Sequence, residues 1–252
     1  MSKIYNTFNN EGFVLLKQFI KGKSFNDACK NFKKDILSEY KQTDKDKIGG
    51  HFMGNLGIQI GNYDKIFYNF LINNEFDKLI YQITKNRLDQ YDLFFGGNLN
   101  LSRSYNQHFH TDSTFENKFI IINIATEKVD KSNGPLEIAI GTYRKKIPYW
   151  KFIFQRQKKK KIILSRGDIL IRKSELWHRG TRNNSENARL LLGLTLKKNK
   201  KKKEINLIKN NKIKICSNFF DHSFFGKIEE KIYIIFKYIY VLLRFIKSLF
   251  KS

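Results

Sequence analysis

Hydrophobic residues in the first ninety positions recur mainly at helical spacing, with one short apolar run ahead of them. The elements predicted here are that run at 13–20 and helices at 24–37, 64–74 and 75–84. Ser24 stands where an N-cap is expected, because its hydroxyl can accept a hydrogen bond from a free N–H of the first turn. Phe25, Phe32 and Ile36 then share one face of the first helix. The pattern predicts a helical layer over about residues 1–90.

The spacing changes near Tyr91, where short runs rich in β-branched and aromatic residues replace the helical pattern. These runs cover 92–95, 99–107, 118–126, 136–140, 161–164, 168–172 and 189–197. Gly96-Gly97 and Asn133-Gly134-Pro135 are among the turn signals that separate them. Many short strands between turns are typical of a sandwich or barrel. The expected fold class is therefore mainly β (α+β), with a β core at about 91–197.

The composition is that of an ordered protein. The 252 residues are 41% hydrophobic and 15% aromatic, enough apolar surface to offset the entropy lost on folding. Two cysteines cannot form a disulfide framework, and they fit a reducing compartment. Residues 1–10 lack the apolar core of a signal peptide, and no uncharged apolar run reaches the ~18 residues of a spanning helix. The expected location is cytoplasmic.

The chain is strongly basic, with 48 Lys and Arg against 23 Asp and Glu and a formal net charge of +25. One interpretation is a polyanionic partner, and another is a coding bias, since the abundant Lys, Asn, Ile, Phe and Tyr all have A/T-rich codons. Lysine runs at 158–161 and 200–203 offer phosphate contacts. No recognised nucleic-acid module accompanies them, so nucleic acid is not the expected partner.

The texture of the sequence changes after Lys197. Residues 198–226 have the pattern of a basic linker, and 227–252 that of an amphipathic basic helix. Four cations of this helix fall within about 80° on a helical wheel: Lys237, Arg244, Lys247 and Lys251. The rest of the wheel is a broad apolar face. Two arrangements stay open here: the helix lies on an anionic membrane, which gives a peripheral position on its inner face, or the apolar face packs on the core.

The candidate chemistry lies in the β-rich half. His110 and Asp112 are two residues apart, so in an extended segment their side chains point the same way and can reach one ion. A distant third ligand on a neighbouring strand, such as His178, would complete a facial triad of two histidines and one carboxylate. This donor set is typical of non-heme Fe(II) oxygenases, because it leaves open positions on the metal.

Residues 101–196 resemble the phytanoyl-CoA dioxygenase family of Fe(II)/2-oxoglutarate-dependent oxygenases. Four pieces carry the resemblance: His110-Thr111-Asp112, the segment 133–144 (NGPLEIAIGTYR), the segment 167–171 (GDILI), and Trp177-His178-Arg179-Gly180-Thr181 followed by Arg189. The segment 12–16 (GFVLL) also looks like the family's N-terminal glycine-aromatic-apolar run. The similarity thus extends over most of 10–197 and leaves out the basic tail.

The resemblance implies one oxygenase domain, residues 1–197, with a double-stranded β-helix (jelly-roll) core. It implies His110, Asp112 and His178 as iron ligands and Arg189 as the residue that binds the distal carboxylate of 2-oxoglutarate. Fe(II) is the implied cofactor, with 2-oxoglutarate and O2 as co-substrates. The implied reaction is hydroxylation of an organic substrate while 2-oxoglutarate is decarboxylated to succinate. We expect a small or lipid-like substrate, and a lipid-linked one if the basic helix lies on a membrane. Related halogenases carry a small residue at the position of Asp112, so a carboxylate there indicates hydroxylation.

Other polar residues near these motifs are candidate contacts to 2-oxoglutarate or substrate: Tyr105, Asn106, Gln107, Asn123 and Thr195. His108 has the same parity as His110 and Asp112, and we expect it to support the metal site or line the substrate pocket without binding the ion. The alternative function is a catalytically inactive jelly-roll protein that binds a membrane surface or another polyanion through its basic tail.

Overall fold

The computed structural model describes residues 3–199 and 212–249. Its strands are β1 (Phe13–Leu16), β2 (Asn55–Ile60), β3 (Tyr91–Asn100), β4 (Ile120–Ile124), β5 (Leu136–Ala139), β6 (Lys159–Ile162), β7 (Ile169–Lys173), β8 (His178–Gly180), β9 (Arg189–Lys198) and β10 (Ile213–Cys216). Its helices are α1 (Lys3–Glu11), α2 (Lys23–Gln42), α3 (Tyr63–Ile72), α4 (Phe76–Thr84), α5 (Tyr149–Phe154), α6 (Phe224–Ile235) and α7 (Lys237–Leu249). Helices dominate before Tyr91 and strands after it, as the sequence pattern predicts.

The strands of the described residues form two antiparallel sheets. The larger sheet has the order β1-β7-β4-β9-β3-β2-β10, and the smaller has the order β6-β5-β8. Leu170 and Leu191 of the larger sheet pack with Ile138 and Ile162 of the smaller one in a shared apolar cluster. Two sheets that bury their inner faces against each other form a jelly-roll-like core, which confirms the predicted fold class.

Strand β9 faces two different layers, because successive side chains of a strand point to opposite sides. Its even-numbered leucines, 190–196, lie in the main core with Phe67 of α3 and Ile80 of α4. Arg189 and Leu191 point the other way, into a cavity between the sheets. The helical layer therefore covers one face of the larger sheet and leaves the other face for a polar site.

The predicted N-terminal helices are confirmed, but the predicted cap of the first one is wrong. Helix α2 begins at Lys23, and Gly22, with φ 110°, occupies the N-cap position in place of Ser24. Ser24 lies inside the first turn. A backbone at that φ is rarely adopted by residues with a side chain, so the glycine determines where the chain enters the helix.

The glycine pair Gly96-Gly97 lies in the middle of a strand and does not form a turn. The two predicted runs on either side of it, 92–95 and 99–107, are replaced by the single strand β3, which ends at Asn100. A Cβ atom on Gly97 would lie 2.8 Å from the Leu191 carbonyl oxygen and 2.8 Å from Ile58 Cδ1. The glycine is needed because neighbouring strands approach closely there, which local sequence does not reveal.

The C-terminal part has more structure than the linker and single helix that the sequence predicts. Strand β10 lies within the predicted linker 198–226 and pairs with β2 at the edge of the larger sheet, where Ile215 is buried. The predicted helix 227–252 is two helices, α6 and α7, separated at Phe236, whose backbone (φ −120°, ψ 51°) is not helical. The rest of these two predictions, including Lys251, falls at 200–211 and 250–252, outside the described residues.

The helical pair α6–α7 is attached to the core by specific contacts. The buried carboxylate of Glu230 in α6 accepts hydrogen bonds from the backbone N–H groups of Gly50 (3.0 Å) and Met53 (2.6 Å). Tyr233 and Tyr240 pack with Met53 in a separate apolar cluster. Within residues 3–199 and 212–249, no helix combines the length and apolar content needed to cross a bilayer.

Candidate metal centre

The three predicted metal ligands meet at one edge of the smaller sheet. His178 is the first residue of β8, and His110 pairs with it through reciprocal backbone hydrogen bonds of 3.0 and 2.9 Å. Asp112 lies two residues further along the same segment, where its N–H donates to the Ser174 carbonyl at 2.9 Å. The backbone pairing thus brings residues from two distant parts of the sequence side by side, with His110 and Asp112 at the predicted spacing.

The two imidazole rings present the nitrogen that a metal would use. Nδ1 of His110 lies 2.9 Å from the His108 carbonyl oxygen, and Nδ1 of His178 lies 2.8 Å from the Leu176 carbonyl oxygen. A carbonyl partner requires a proton on Nδ1, so the lone pair remains on Nε2. The Nε2 atoms lie 3.8 Å (His110) and 3.2 Å (His178) from Asp112 oxygens. All three donor groups fall within 4.8 Å of one another, a spacing that suits one ion.

The electrostatics keep all three donors ready to bind a cation. Burial lowers the pKa of His178 well below its ordinary value, and burial also lowers the pKa of His110. Desolvation alone would raise the pKa of Asp112, but His178, Arg172 and His110 beside it hold that pKa below its usual range. Near neutral pH the site therefore contains two neutral imidazoles and one carboxylate, the protonation states that a metal requires.

Arg172 of β7 is a residue of the candidate site that the sequence analysis missed. Its buried guanidinium donates to Asp112 Oδ2 at 2.6 Å and to Asn123 Oδ1 at 3.2 Å. An arginine that directly follows the apolar residues Ile169, Leu170 and Ile171 was the available signal, because charged side chains are seldom buried without a partner. Arg172 holds the Asp112 carboxylate through Oδ2, which also lies 3.2 Å from His178 Nε2, and Oδ1 lies 3.8 Å from His110 Nε2.

Arg189, at the start of β9, has the features needed to bind an anion in the same cavity. Its Nη2 donates to the Gly134 carbonyl oxygen at 2.9 Å. Within the described residues, its buried Nε and Nη1 have no hydrogen-bond partner. Burial lowers the pKa of this guanidinium to about 10, so it remains charged at neutral pH. Unpartnered N–H groups on a buried cation fit an anion such as a carboxylate, which accepts charge-assisted hydrogen bonds.

The cavity between the sheets has a volume of about 160 Å³. It is lined by Asn98, Gln107, His110, Asp112, Asn123, Leu136, Arg172, His178, Gly180, Arg189, Leu191, Asn218 and Phe219. Asn123 and Gln107, both named from the sequence, are therefore present, and the Gln107 side chain accepts a hydrogen bond from Gly180 N–H at 2.6 Å. The cavity combines the three metal donors with Arg189.

The other predicted contacts lie outside this cavity. Tyr105 is exposed, with the Arg182 guanidinium over its ring. Thr195 is six residues along β9 from Arg189, about 20 Å at strand spacing, so the structure does not bring it to the site. Asn106 lies at the periphery, where its side chain accepts from Arg182 N–H and its carbonyl from Tyr233. His108 packs against the His110 ring at 5.7 Å, and burial lowers its pKa to about 2.

Asn218 and Phe219 are cavity residues that no sequence signal placed there. The Phe219 ring stands edge-on to the rings of His110 (4.7 Å) and His108 (5.1 Å). These residues follow β10 and are separated from the ligand motif by about a hundred positions. The C-terminal segment therefore forms one wall of the candidate metal centre.

A second, wider cavity lies beside Asp112, with a volume of about 480 Å³. Its walls include Thr111–Glu116, Trp177 and the segment Lys145–Pro148. Trp177 stacks on Phe152 at 4.2 Å, which fixes an aromatic wall. A space of this size next to the candidate ligands can hold a small organic molecule.

A scan against protein-family models gives no match, and neither does a search of curated proteins. Solved structures do match. The chain is similar to SnoK, a non-heme alpha-ketoglutarate-dependent carbocyclase from nogalamycin biosynthesis, with a TM-score of 0.58 and 11% identity over 79% of this chain and 84% of that one. EctD from S. alaskensis, solved with 2-oxoglutarate and 5-hydroxyectoine, gives a TM-score of 0.59 and 12% identity over 79% and 76%.

The epimerase SnoN, solved with Fe3+, alpha-ketoglutarate and nogalamycin RO, gives a TM-score of 0.55 and 12% identity over 78% of this chain and 82% of that one. At such low identity the similarity establishes the fold and nothing finer. This chain therefore shares its fold with these three proteins, and it has a His-Asp-His cluster between its sheets.

Proposed function

We propose that this protein is an Fe(II)- and 2-oxoglutarate-dependent dioxygenase that hydroxylates a small or lipid-like organic substrate. The observation that carries the proposal is the cavity that holds both His110, Asp112 and His178 and the buried, partly unpartnered guanidinium of Arg189. A group of metal-binding side chains alone would fit many functions. Such a group beside a buried cation that can bind a carboxylate is what a metal-chelating 2-oxo acid requires.

The donor set suits a catalytic iron ion better than a metal ion with a purely structural role. Two imidazole nitrogens and one carboxylate occupy only part of a six-coordinate metal, which leaves positions for further ligands. The carbonyl partners of His110 and His178 hold both rings in orientation, and Arg172 does the same for Asp112. Arg189 would bind the distal carboxylate of 2-oxoglutarate through N–H groups of its guanidinium, of which Nε and Nη1 lack partners within the described residues.

Iron with bound 2-oxoglutarate supplies the oxidising chemistry, and the protein supplies position and exclusion of water. The wider cavity beside Asp112 would receive the substrate, with Trp177 as an apolar wall. Hydroxylation is the proposed outcome because the Asp112 carboxylate is present, whereas the related halogenases have a small residue at that position. The same fold also supports the epimerase and carbocyclase named above, so the outcome depends on how the substrate is held.

The order of the motifs also supports assigning the chain to the phytanoyl-CoA dioxygenase family. His110-Thr111-Asp112 precedes His178, and Arg189 follows His178 by eleven residues on the next strand, β9. Cys29 and Cys216 are free thiols, which supports the cytoplasmic location that we include in the proposal. The family resemblance does not identify the substrate. The residues of the wider cavity would contact it, and they lie mostly on loops, which vary between related proteins.

Anaerobic titration of the full chain with Fe(II) and 2-oxoglutarate tests the proposal. We expect a weak visible charge-transfer band that requires both components and is absent from the His178→Ala variant. The matched control is His222→Ala, because His222 is exposed and lies outside both cavities. A folded wild-type protein without the band would contradict the proposed function.

Substrate oxidation is tested separately. Candidate small and lipid-like molecules are incubated with Fe(II), 2-oxoglutarate and O2, and succinate is measured together with the product. We expect one class of molecule to raise succinate production and to gain one oxygen atom. Products that are epimerised or cyclised without gaining oxygen would retain the cofactor assignment and contradict hydroxylation.

A further inference from the structure

Helix α7 presents its apolar side to the outside of the molecule. Its inner side packs through Tyr240, which is buried, and through Arg244, whose guanidinium lies 4.5 Å from the Tyr149 ring. Five large apolar residues on the opposite side are exposed: Tyr238, Ile239, Leu242, Leu243 and Ile246. Leu242 and Leu243 are each 55% exposed. An amphipathic helix normally does the reverse, so this stripe is unusual for a helix that packs on a core.

Neighbouring helices extend the exposed apolar surface. Phe225, near the start of α6, is 80% exposed, and Ile235 at its end is also exposed. Phe154 of α5 contributes another exposed ring and contacts Phe245 of α7 at 5.6 Å. Single exposed apolar residues are ordinary, but a contiguous group from three helices marks an interaction site. We call this surface the C-terminal apolar patch: the five α7 residues above with Phe225, Ile235 and Phe154.

Cations lie around the patch, with a single exposed acid in the helices that carry it. Lys237 and Lys247 of α7 and Lys231 of α6 are exposed. Of the two acidic residues between 224 and 249, Glu230 is buried under backbone N–H groups and Glu229 is exposed beside Tyr240. An apolar surface bordered by lysines complements a lipid bilayer with anionic headgroups, where apolar groups enter the acyl boundary and cations remain near phosphates.

We propose that the C-terminal apolar patch docks the protein on an anionic phospholipid surface. A second copy of this chain is a poor occupant, because two molecules of formal charge +25 repel each other and lysines border the patch on both. The same charge favours approach to a negatively charged membrane. This proposal does not depend on the enzymatic one, since the patch lies on the outer side of α7 and the metal donors lie between the sheets.

Docking would bring the lipid surface near a route to the candidate site. A cavity of about 710 Å³ lies between Tyr149 and the helices α6 and α7, with Leu243 and Lys247 in its wall. Lys146 and Pro148 line both this cavity and the wider cavity beside Asp112. In the docked protein, this cavity would adjoin the patch, and the wider cavity beside Asp112 would adjoin this cavity.

Sedimentation of the full chain with lipid vesicles tests the docking. One set of vesicles is phosphatidylcholine alone, and the other contains about one fifth phosphatidylserine. We expect sedimentation with the second set only, weakening as salt is added. Ile246→Ser should lower the partition constant about tenfold, because the isoleucine no longer enters the acyl boundary. Lys247→Glu should lower it by a similar factor, because attraction becomes repulsion.

Matched controls separate docking from general effects of the substitutions. Ile66 of α3 is 41% exposed and Ile246 is 42% exposed, so Ile66→Ser removes equal apolar surface away from the patch. Lys65→Glu, at an exposed position of α3, is the control for Lys247→Glu. Both controls should bind vesicles like the wild type. Failure of the wild type to sediment, or equal losses in the controls, would overturn the proposal. So would a dimer in light scattering that Ile246→Ser abolishes, because a second copy would then cover the patch.

Discussion

The cavity between the sheets and the C-terminal apolar patch depart from the usual inside-outside arrangement in opposite ways. In the cavity, Arg172 and Arg189 place buried charges inside an apolar framework, beside the partly exposed carboxylate of Asp112. On α7, Leu242 and Ile246 place large apolar groups outside. Folding alone favours neither arrangement. A buried charge costs free energy unless it has a partner, and exposed apolar area gives up the free energy that its burial would contribute. Both departures therefore indicate binding sites. The cavity suits a metal ion and an organic anion, and the patch suits a membrane surface.

The two regions are connected, so they do not behave as independent modules. Glu230 fixes α6 to the loop at Gly50–Met53, and Tyr233 Oη donates to the Asn106 carbonyl oxygen at 2.5 Å. Asn106 precedes the proposed ligand His110 by four residues. Phe219, just before α6, touches the His110 ring. The substitutions below change one region and measure the other, which shows how far the connection extends.

The largest expected effect comes from Asp112→Ala, which removes a proposed metal ligand. We expect loss of measurable turnover and at least about a hundredfold weaker Co(II) binding, with Co(II) as an air-stable substitute for iron. Arg172 loses its carboxylate partner while it stays buried, so the free energy of unfolding should also fall by about 3 kcal/mol. Absorption titration and urea denaturation measure the two effects. Vesicle binding should not change, and full activity of this variant would disprove the ligand assignment.

The next largest effect is expected for Arg189→Ala. A charge-assisted bidentate hydrogen bond is worth about 3 kcal/mol, so 2-oxoglutarate should bind roughly a hundredfold more weakly while Co(II) affinity is retained. Arg189→Lys should recover only part of the loss, because an ammonium cannot form the paired contact. Isothermal titration of the Co(II)-loaded protein with 2-oxoglutarate measures both variants. Unchanged 2-oxoglutarate affinity in Arg189→Ala would remove the basis for the co-substrate assignment.

The sequence predicts the pair His110 and Asp112 well because its geometry is local. His110 and Asp112 depend only on strand parity, and Arg189 lies on an apolar strand, β9, where the alternation of leucines determines which face it occupies. Spacing was therefore enough to name His110 and Asp112, whereas the role of Arg189 came from the resemblance to the phytanoyl-CoA dioxygenase family. Thr195 shares that parity, but strand length carries it about 20 Å away, and parity alone does not report distance.

Arg172 and Phe219 could not be predicted in the same way, because each depends on approach across the fold. Arg172 meets Asp112 sixty residues earlier only after β7 joins the larger sheet. A helical wheel of the C-terminal segment separates cations from apolar residues correctly, but it does not show which side of the helix packs on the rest of the protein. The structure packs the side of Tyr240 and Arg244 and leaves the apolar stripe outside.

A smaller effect is expected where the two regions are joined. Glu230→Gln keeps the size of the side chain but removes the negative charge of the carboxylate, whose oxygens accept hydrogen bonds from the N–H groups of Gly50 and Met53. The free energy of unfolding should fall by about 2 kcal/mol, as for the loss of a charged acceptor in a buried site. Urea denaturation measures the loss, and Glu229→Gln at the exposed neighbouring position should change it by less than about 0.5 kcal/mol. Equal effects of the two substitutions would show that Glu230 does not secure α6.

The smallest effect is expected at Phe219, which closes the metal cavity from the C-terminal side. Phe219→Ala removes the ring contact with His110, which is worth about 1 kcal/mol, so a chelator should extract Co(II) about fivefold faster. Phe219 also has a positive φ of 64°, which costs energy for any residue with a side chain. Phe219→Gly should therefore release the metal as quickly as Phe219→Ala but be more stable by about 1 kcal/mol.

Stopped-flow mixing with a chelator measures the release rate, and thermal unfolding measures the stability difference. Phe224→Ala is the control, because that ring is exposed and outside the metal cavity. If Phe219→Ala and Phe219→Gly release the metal at the wild-type rate, the C-terminal segment is only a neighbour of the cavity. If both release it faster, the segment that carries the apolar patch also controls access to the metal, and the two regions act together.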